Sequence, residues 1–112
     1  MAQDFRNQFN ADIPTAYHAS NSVLWTGGDF DAVISIRLAN ITTSQVTVDV
    51  FIRNSSTDYY LIKNAPIPAG SSLELIDSGS KIVLKNGDAL HAICSAASSV
   101  DAVVSVVDTI SA

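Results

Sequence analysis

The chain has 112 residues, 47% of them hydrophobic and 15% charged, and its 11 Asp and Glu against 6 Lys and Arg leave a net charge of −5. That length admits a single domain. The acids outnumber the bases in both halves (five to three in 1–56, six to three in 57–112), so no basic patch exists to neutralise phosphates, and nucleic acid is excluded as an expected partner. No apolar run approaches the ~18 residues that a membrane span needs, and a signal-peptide core is missing from the first residues, so no membrane partner is expected. One cysteine makes no internal disulfide. The charge is well below the usual quarter for a globular domain, although the apolar fraction is ordinary.

Residues 1–20 are polar and rich in Asn and Gln, with isolated large apolar residues. Phe5, Phe9 and Ile13 stand four apart, the spacing of one stripe on a short helix. Pro14 stops a helix there and disfavours the helical region at Ile13. About ten residues do not sustain a helix alone in water. The expectation is an extended N-terminal arm over 1–21, ordered by docking Phe5, Phe9 and Ile13 on another subunit, followed by one domain over 22–112.

Beyond Gly27-Gly28, short β-branched runs alternate with turn signals about every ten residues, which is the all-β pattern. Residues 31–41 alternate with Ala32, Ile34, Ile36 and Leu38 on one side. Residues 46–53 follow, with Val46, Val48, Val50 and Ile52 toward the core. A turn at 54–58 leads into a third strand at 59–63, and the three runs suggest an antiparallel meander. Pro66 and Pro68 remove two ladder donors, so 65–70 is expected to be a crossover outside any sheet. Alternation resumes at 72–76 with Leu73 and Leu75 inward. After a turn at 77–80 it continues at 81–85 with Ile82 and Leu84 inward. Asn86-Gly87 is the strongest hairpin signal; it leads into 88–96, and a valine-rich strand closes the chain at 100–110. These runs predict a two-sheet antiparallel β-sandwich, Greek-key or small jelly roll, behind the arm.

Catalytic and metal chemistry find little support. His91 and Cys94 are three apart on a strand and point to opposite faces, so they cannot share an ion. The expectation is a core Cys94 and an exposed His91, with no metal and no cofactor. The serines cluster in turns, Gly-x-Ser-x-Gly is missing, and neither histidine lies in a recognisable motif, so no enzyme is expected. Gly27-Gly28-Asp29 lacks the ligand spacing of a calcium loop and the Lys-Ser/Thr of a phosphate loop. Trp25, Tyr59 and Tyr60 could stack on a sugar in a carbohydrate-binding module; core or interface packing is the competing use.

The outward positions are more informative. Val33, Phe51, Ile76, Val83, Ile93, Val103 and Val107 fall on faces opposite the expected core. Apolar residues recurring there suggest a second apolar surface, whose natural outlet is association. Phe51, Val83 and Val103 are the expected outer-face contacts.

The stretches 41–50 (ITTSQVTVDV), 59–75 (YYLIKNAPIPAGSSLEL), 81–84 (KIVL), Gly87-Asp88 and 98–106 (SSVDAVVSV) resemble a family of small β-sandwich virion proteins of tailed bacteriophages. The likeness covers about residues 22–110 and leaves the arm outside. It implies a non-enzymatic part of a virion that is assembled in the host cytoplasm. The leading form is a decoration or cement protein, expected as a homotrimer, bound to the major capsid protein or another virion protein. The alternative is a tail, baseplate or fibre component involved in host attachment.

Overall fold

The computed structural model describes residues 4–11, 13–16, 22–27, 31–76, 82–97 and 99–108, with residues 4, 5 and 108 through their backbone alone. Their regular elements are nine strands: β1 (Asp4–Asn10), β2 (Val23–Thr26), β3 (Asp31–Asn40), β4 (Val46–Asn54), β5 (Thr57–Ile67), β6 (Ser72–Glu74), β7 (Ile82–Leu84), β8 (Asp88–Cys94) and β9 (Val100–Asp108). The expected turn at 77–80 and His18 lie outside the described residues.

The strands pair as one long nested hairpin. β4 pairs with β5, β3 with β6 and β7, β2 with β8 and β1 with β9, all antiparallel. The hairpin is rolled so that β9 also lies on β3 and β8 also lies on β4. The result is one sheet in the order β1-β9-β3-β6, with β7 also on β3, facing a second in the order β2-β8-β4-β5. A rolled hairpin of this order is a jelly roll, which selects between the two sandwich topologies the sequence left open.

Several local expectations change. The expected meander does not form: β3 belongs to the first sheet and β4 and β5 to the second, so residues 41–45 cross between layers. Asn40 pins that corner. Its Nδ2 donates to the carbonyls of Ser44 (2.7 Å) and Ile67 (2.9 Å), while its Oδ1 accepts from the Thr42 amide at 2.9 Å. Asn86-Gly87 does form a tight turn, with Gly87 at a φ of 99° and the Asp88 amide on the Lys85 carbonyl at 3.0 Å. Its flanking strands, however, enter different sheets, so it joins layers rather than closing a ladder. The two-residue hairpin is instead at Ser55-Ser56, whose φ values of 50° and 68° match the twist a tight hairpin turn requires.

Pro66 lies inside β5, opposite Thr47, and not in a separate crossover. β5 is the last strand of its sheet, where a missing donor costs no ladder bond on the open side. Residues 4–10 are extended as expected of the arm, but as a strand on β9 rather than a helical stripe. A spacing of four places residues on one face of a helix and also of a strand. The open edge of β9 supplies the partner that decides for the strand.

The core fills the space between the sheets. Val46, Val48, Val50, Leu84, Leu90, Ala92, Val100, Ala102, Val104 and Val106 pack there with Ile13, Leu24, Ile36 and Leu38. Leu73, Leu75 and Ile82 pack against this cluster from its rim. Val33 belongs to the core, not to the outer face. The β3–β9 register slips between Val33 and Ser35, so Ile34 is an extra residue that reverses the alternation on either side of it.

Candidate functional site

With the core occupied, the surfaces able to meet a partner are the outer faces and the edges of the two sheets. On the β1-β9-β3-β6 sheet, the core side of β9 takes Val100, Ala102, Val104 and Val106, which leaves Val103 on the outer side. The register sets Phe9 of β1 opposite Val103, and Phe5 opposite Val107. Phe9 is 69% exposed and Val103 39%, and a hollow of 280 Å³ runs beside them, bounded by Asn10, Ala11, Asp101 and Ala102. Val83, on β7 opposite Ala32, is 54% exposed. Two of the three expected outer-face residues, Val83 and Val103, are therefore accessible, and Phe9 joins Val103 in one apolar pair.

Ile13 is not an anchor for another subunit. It is fully buried in this chain's own core, where its amide donates to the Val100 carbonyl (3.0 Å) and its carbonyl accepts from Cys94 Sγ (3.1 Å). The next residue continues the seam, because the Pro14 carbonyl accepts the Cys94 amide at 3.0 Å. Two polar side chains of β1 reach across to the other sheet: Gln8 Nε2 and Asn10 Nδ2 both donate to the Val23 carbonyl.

Phe51 does lie on the outer side of its sheet, but it is fully buried rather than a contact residue. The ladder places His91 on one side of it and Tyr60 on the other. The His91 ring stacks on it at 5.2 Å and 7°, and the Tyr60 ring tilts over it at 5.2 Å and 42°. Lys63 Nζ caps the Tyr60 ring at 4.6 Å. Phe51 is thus sandwiched between two rings of its own chain on the outer side of β4. Alternation assigns a residue to a face; it does not reveal which neighbours roof that face. Ile76 and Ile93, also expected outward, are buried too, and Val107 is half-buried.

His91 is buried, contrary to the expected exposure, and its Nδ1 lies 2.8 Å from Ser22 Oγ. A serine hydroxyl on an imidazole is the pairing that nucleophilic catalysis uses. Here Ser22 is itself fully buried, so its hydroxyl meets no solvent, and the pair acts as an interior brace between the start of β2 and β8. Cys94 is buried as expected, and burial pushes its thiol above the ordinary thiol range. Among the described residues, no group of three His, Cys, Asp or Glu could hold a metal ion.

Trp25, Tyr59 and Tyr60 do not converge on one platform. Trp25 is on β2 and the tyrosines are on β5, at opposite ends of the β2-β8-β4-β5 order. Trp25 packs against the core and donates its Nε1 to Asp31 Oδ2 at 2.9 Å, which fixes the indole to this chain. Tyr59 is exposed and Tyr60 is committed to the aromatic row.

No family model matches the chain, and neither the curated proteins nor the solved structures provide a match to it. The outer face around Phe9 and Val103 is therefore identified from its own chemistry: an accessible apolar pair on a sheet whose other side is filled by the core.

Proposed function

We propose that the protein is a non-enzymatic structural component of a bacteriophage virion, a decoration or cement subunit that binds an assembled shell as a homo-oligomer. The observation that carries the assembly role is the Phe9–Val103 pair, apolar, in register and open on the outer face of the β1-β9-β3-β6 sheet. Withdrawing a large apolar side chain from water contributes about 1.5–3 kcal/mol before association costs. Several copies held on one lattice turn such modest contacts into high avidity. The major capsid protein is the partner this role requires.

The virion setting is supported by the resemblance over residues 22–110. The jelly-roll order agrees with it, since viral capsid domains use that architecture; lectin domains share it too, so this support is analogy of fold. The glycan reading loses its main support because Trp25 and the two tyrosines lie at opposite sheet edges.

The test is immunogold localisation on particles assembled from the genome that encodes the chain, together with co-sedimentation of purified protein with expanded shells. The expected result is label on the head and co-sedimentation that is lost in Phe9→Ser/Val103→Ser. Label confined to the tail, or its absence from particles, overturns the decoration role. Undiminished shell binding by the double variant overturns the assignment of this face.

A further inference from the structure

We propose that β1 pairs with β1 of a second copy of this chain, antiparallel about a two-fold axis at Asn7, and joins the two β1-β9-β3-β6 sheets into one. The proposal deepens the assembly reading by naming its first contact, and it rests on that reading for the use of this sheet as the working surface.

The edges of the sandwich are not equivalent. β5 is long, but it carries Pro66, Lys63 and two register shifts, each of which blunts an edge against further pairing. β2 has only four residues and a register shift, and its Val23 carbonyl already accepts from Gln8 and Asn10. β6 and β7 have three residues each. Among the described edge strands, β1 alone combines length with regularity: seven residues, no proline, and an unbroken register from Asp4 to Asn10 against β9. It stands at the end of the sheet order, and no described strand lies on its far side. A flat edge of this kind is a template for another strand.

The occupant follows from what β1 carries. The strand reads Asp-Phe-Arg-Asn-Gln-Phe-Asn, with one acid and one base, so it is locally neutral in a chain of net charge −5. Centring the two-fold on Asn7 sets position 4 against 10, 5 against 9, and 6 against 8. Each charge then faces an amide residue, and no like charges stand opposite one another. Position 5 of one copy falls opposite position 9 of the other, so the exposed Phe9–Val103 pair of each copy stands beside the new ladder. Every copy brings the same edge, and an isologous contact uses both edges and closes.

The test uses the full chain without shells, so its outcome is separate from that of shell binding. Wild type is expected to sediment as a dimer. Residues facing each other in an antiparallel ladder have Cα atoms about 4.5–5.5 Å apart, within disulfide reach, so Asn7→Cys should oxidise to a covalent dimer. Its rate should exceed that of Ala16→Cys, in an exposed bend, by at least about tenfold, because the paired thiols are held at high effective concentration. Asn7 is exposed, so charging it spares the core. Asn7→Lys and Asn7→Asp should each be monomeric and should dimerise when mixed in equal amounts. A monomeric or trimeric wild type, cross-linking no faster than at Ala16→Cys, or failure of the mixed variants to pair overturns the proposal. Shell binding retained in any of these cases leaves the decoration role standing without it.

Discussion

The Asp49 carboxylate accepts the backbone N–H of Asn64 at 2.7 Å, and Asn64 stands in the left-handed region with a φ of 55°. The register explains the arrangement. Val48 pairs with Ala65 and Val50 with Ile62, so Lys63 and Asn64 together oppose Asp49. A bulge of this kind takes an amide out of the ladder, and the carboxylate opposite answers it. Lys63 Nζ, 3.6 Å from the same carboxylate, adds a half-exposed ion pair of small worth. Asp49→Leu should therefore destabilise the fold by about 1–3 kcal/mol through the unanswered amide. The measurement is the urea midpoint, and an unchanged midpoint would remove the carboxylate from this role.

Glu74 serves the β3 bulge in the same way. Its Oε2 accepts the Ile36 amide at 3.1 Å and its Oε1 meets Arg37 Nε at 3.3 Å, while the Ser35 hydroxyl donates to the same carboxylate. Glu74→Ala should cost about 1–3 kcal/mol through the Ile36 amide, with the exposed arginine pair adding little. Arg37→Ala should stay within about 0.5 kcal/mol of wild type, as surface substitutions do. Equal losses in the two variants, read by chemical denaturation, would assign the effect to the ion pair instead.

These bulges also set how much of the fold was legible in the sequence. Where a ladder is regular, alternation placed Val46, Val48 and Val50, then Leu73, and then Leu84 and Cys94 correctly toward the core. At Ile34 one inserted residue reversed the pattern, and Val33 moved from the expected outer face to the core. Phe51 was assigned to the correct side of its sheet, yet its cover comes from His91, 40 positions later in the chain, which period-two reasoning does not see. β1 was hidden for a different reason: its polar, four-spaced sequence has no strong local preference, and the edge of β9 decides its conformation. Of the candidate site, Val83 and Val103 were expected on the outer face and Phe9 as an arm contact; that Phe9 and Val103 face one another follows only from the β1–β9 register.

Gly27 occupies a position where its missing side chain matters. Its amide donates to the Asp88 carbonyl at 2.8 Å, which ties the end of β2 to the start of β8. A Cβ there would run into the Lys85 carbonyl and press on the Asp88 carbonyl and Leu84 Cβ, both at 3.1 Å. Two of these obstacles are backbone, held by the Asn86-Gly87 turn and by the Asp88 carboxylate, which accepts from the Lys85 amide and from Asn54 Nδ2. Gly27→Ala should cost about 1–3 kcal/mol through forced backbone displacement. A thermal midpoint equal to that of wild type would show that the layer junction can move aside.

Phe51 and Phe9 should separate stability from association. Phe51→Ala opens a space beneath the His91 and Tyr60 rings and should destabilise the fold by about 3–5 kcal/mol. Phe9→Ala removes a side chain that is 69% exposed and should change the stability of the isolated chain by no more than about 0.5 kcal/mol while it weakens association. Denaturation and sedimentation on the same samples check both. A Phe9→Ala variant as unstable as Phe51→Ala would place Phe9 in the fold's own packing.

Cys94 gives the fold a defined response to alkali. Burial holds its thiol above the ordinary range, and Sγ lies 3.1 Å from the Ile13 carbonyl and 3.0 Å from that of Ala96. In the unfolded chain the thiol ionises near its reference value of about 8.5. A pKa raised on folding gives a stabilising contribution that is complete below that value and is lost as pH rises through the folded one. Wild type should therefore lose stability relative to Cys94→Ala as pH rises above about 8.5, since only the wild-type unfolded state gains a thiolate. Iodoacetamide should modify native Cys94 slowly, at a rate that follows unfolding, because the thiolate is the reactive form and the folded chain suppresses it. A constant difference between the two proteins across that range, or alkylation as fast in the native chain as in urea, would show that Ile13 and its neighbours leave the thiol open to solvent.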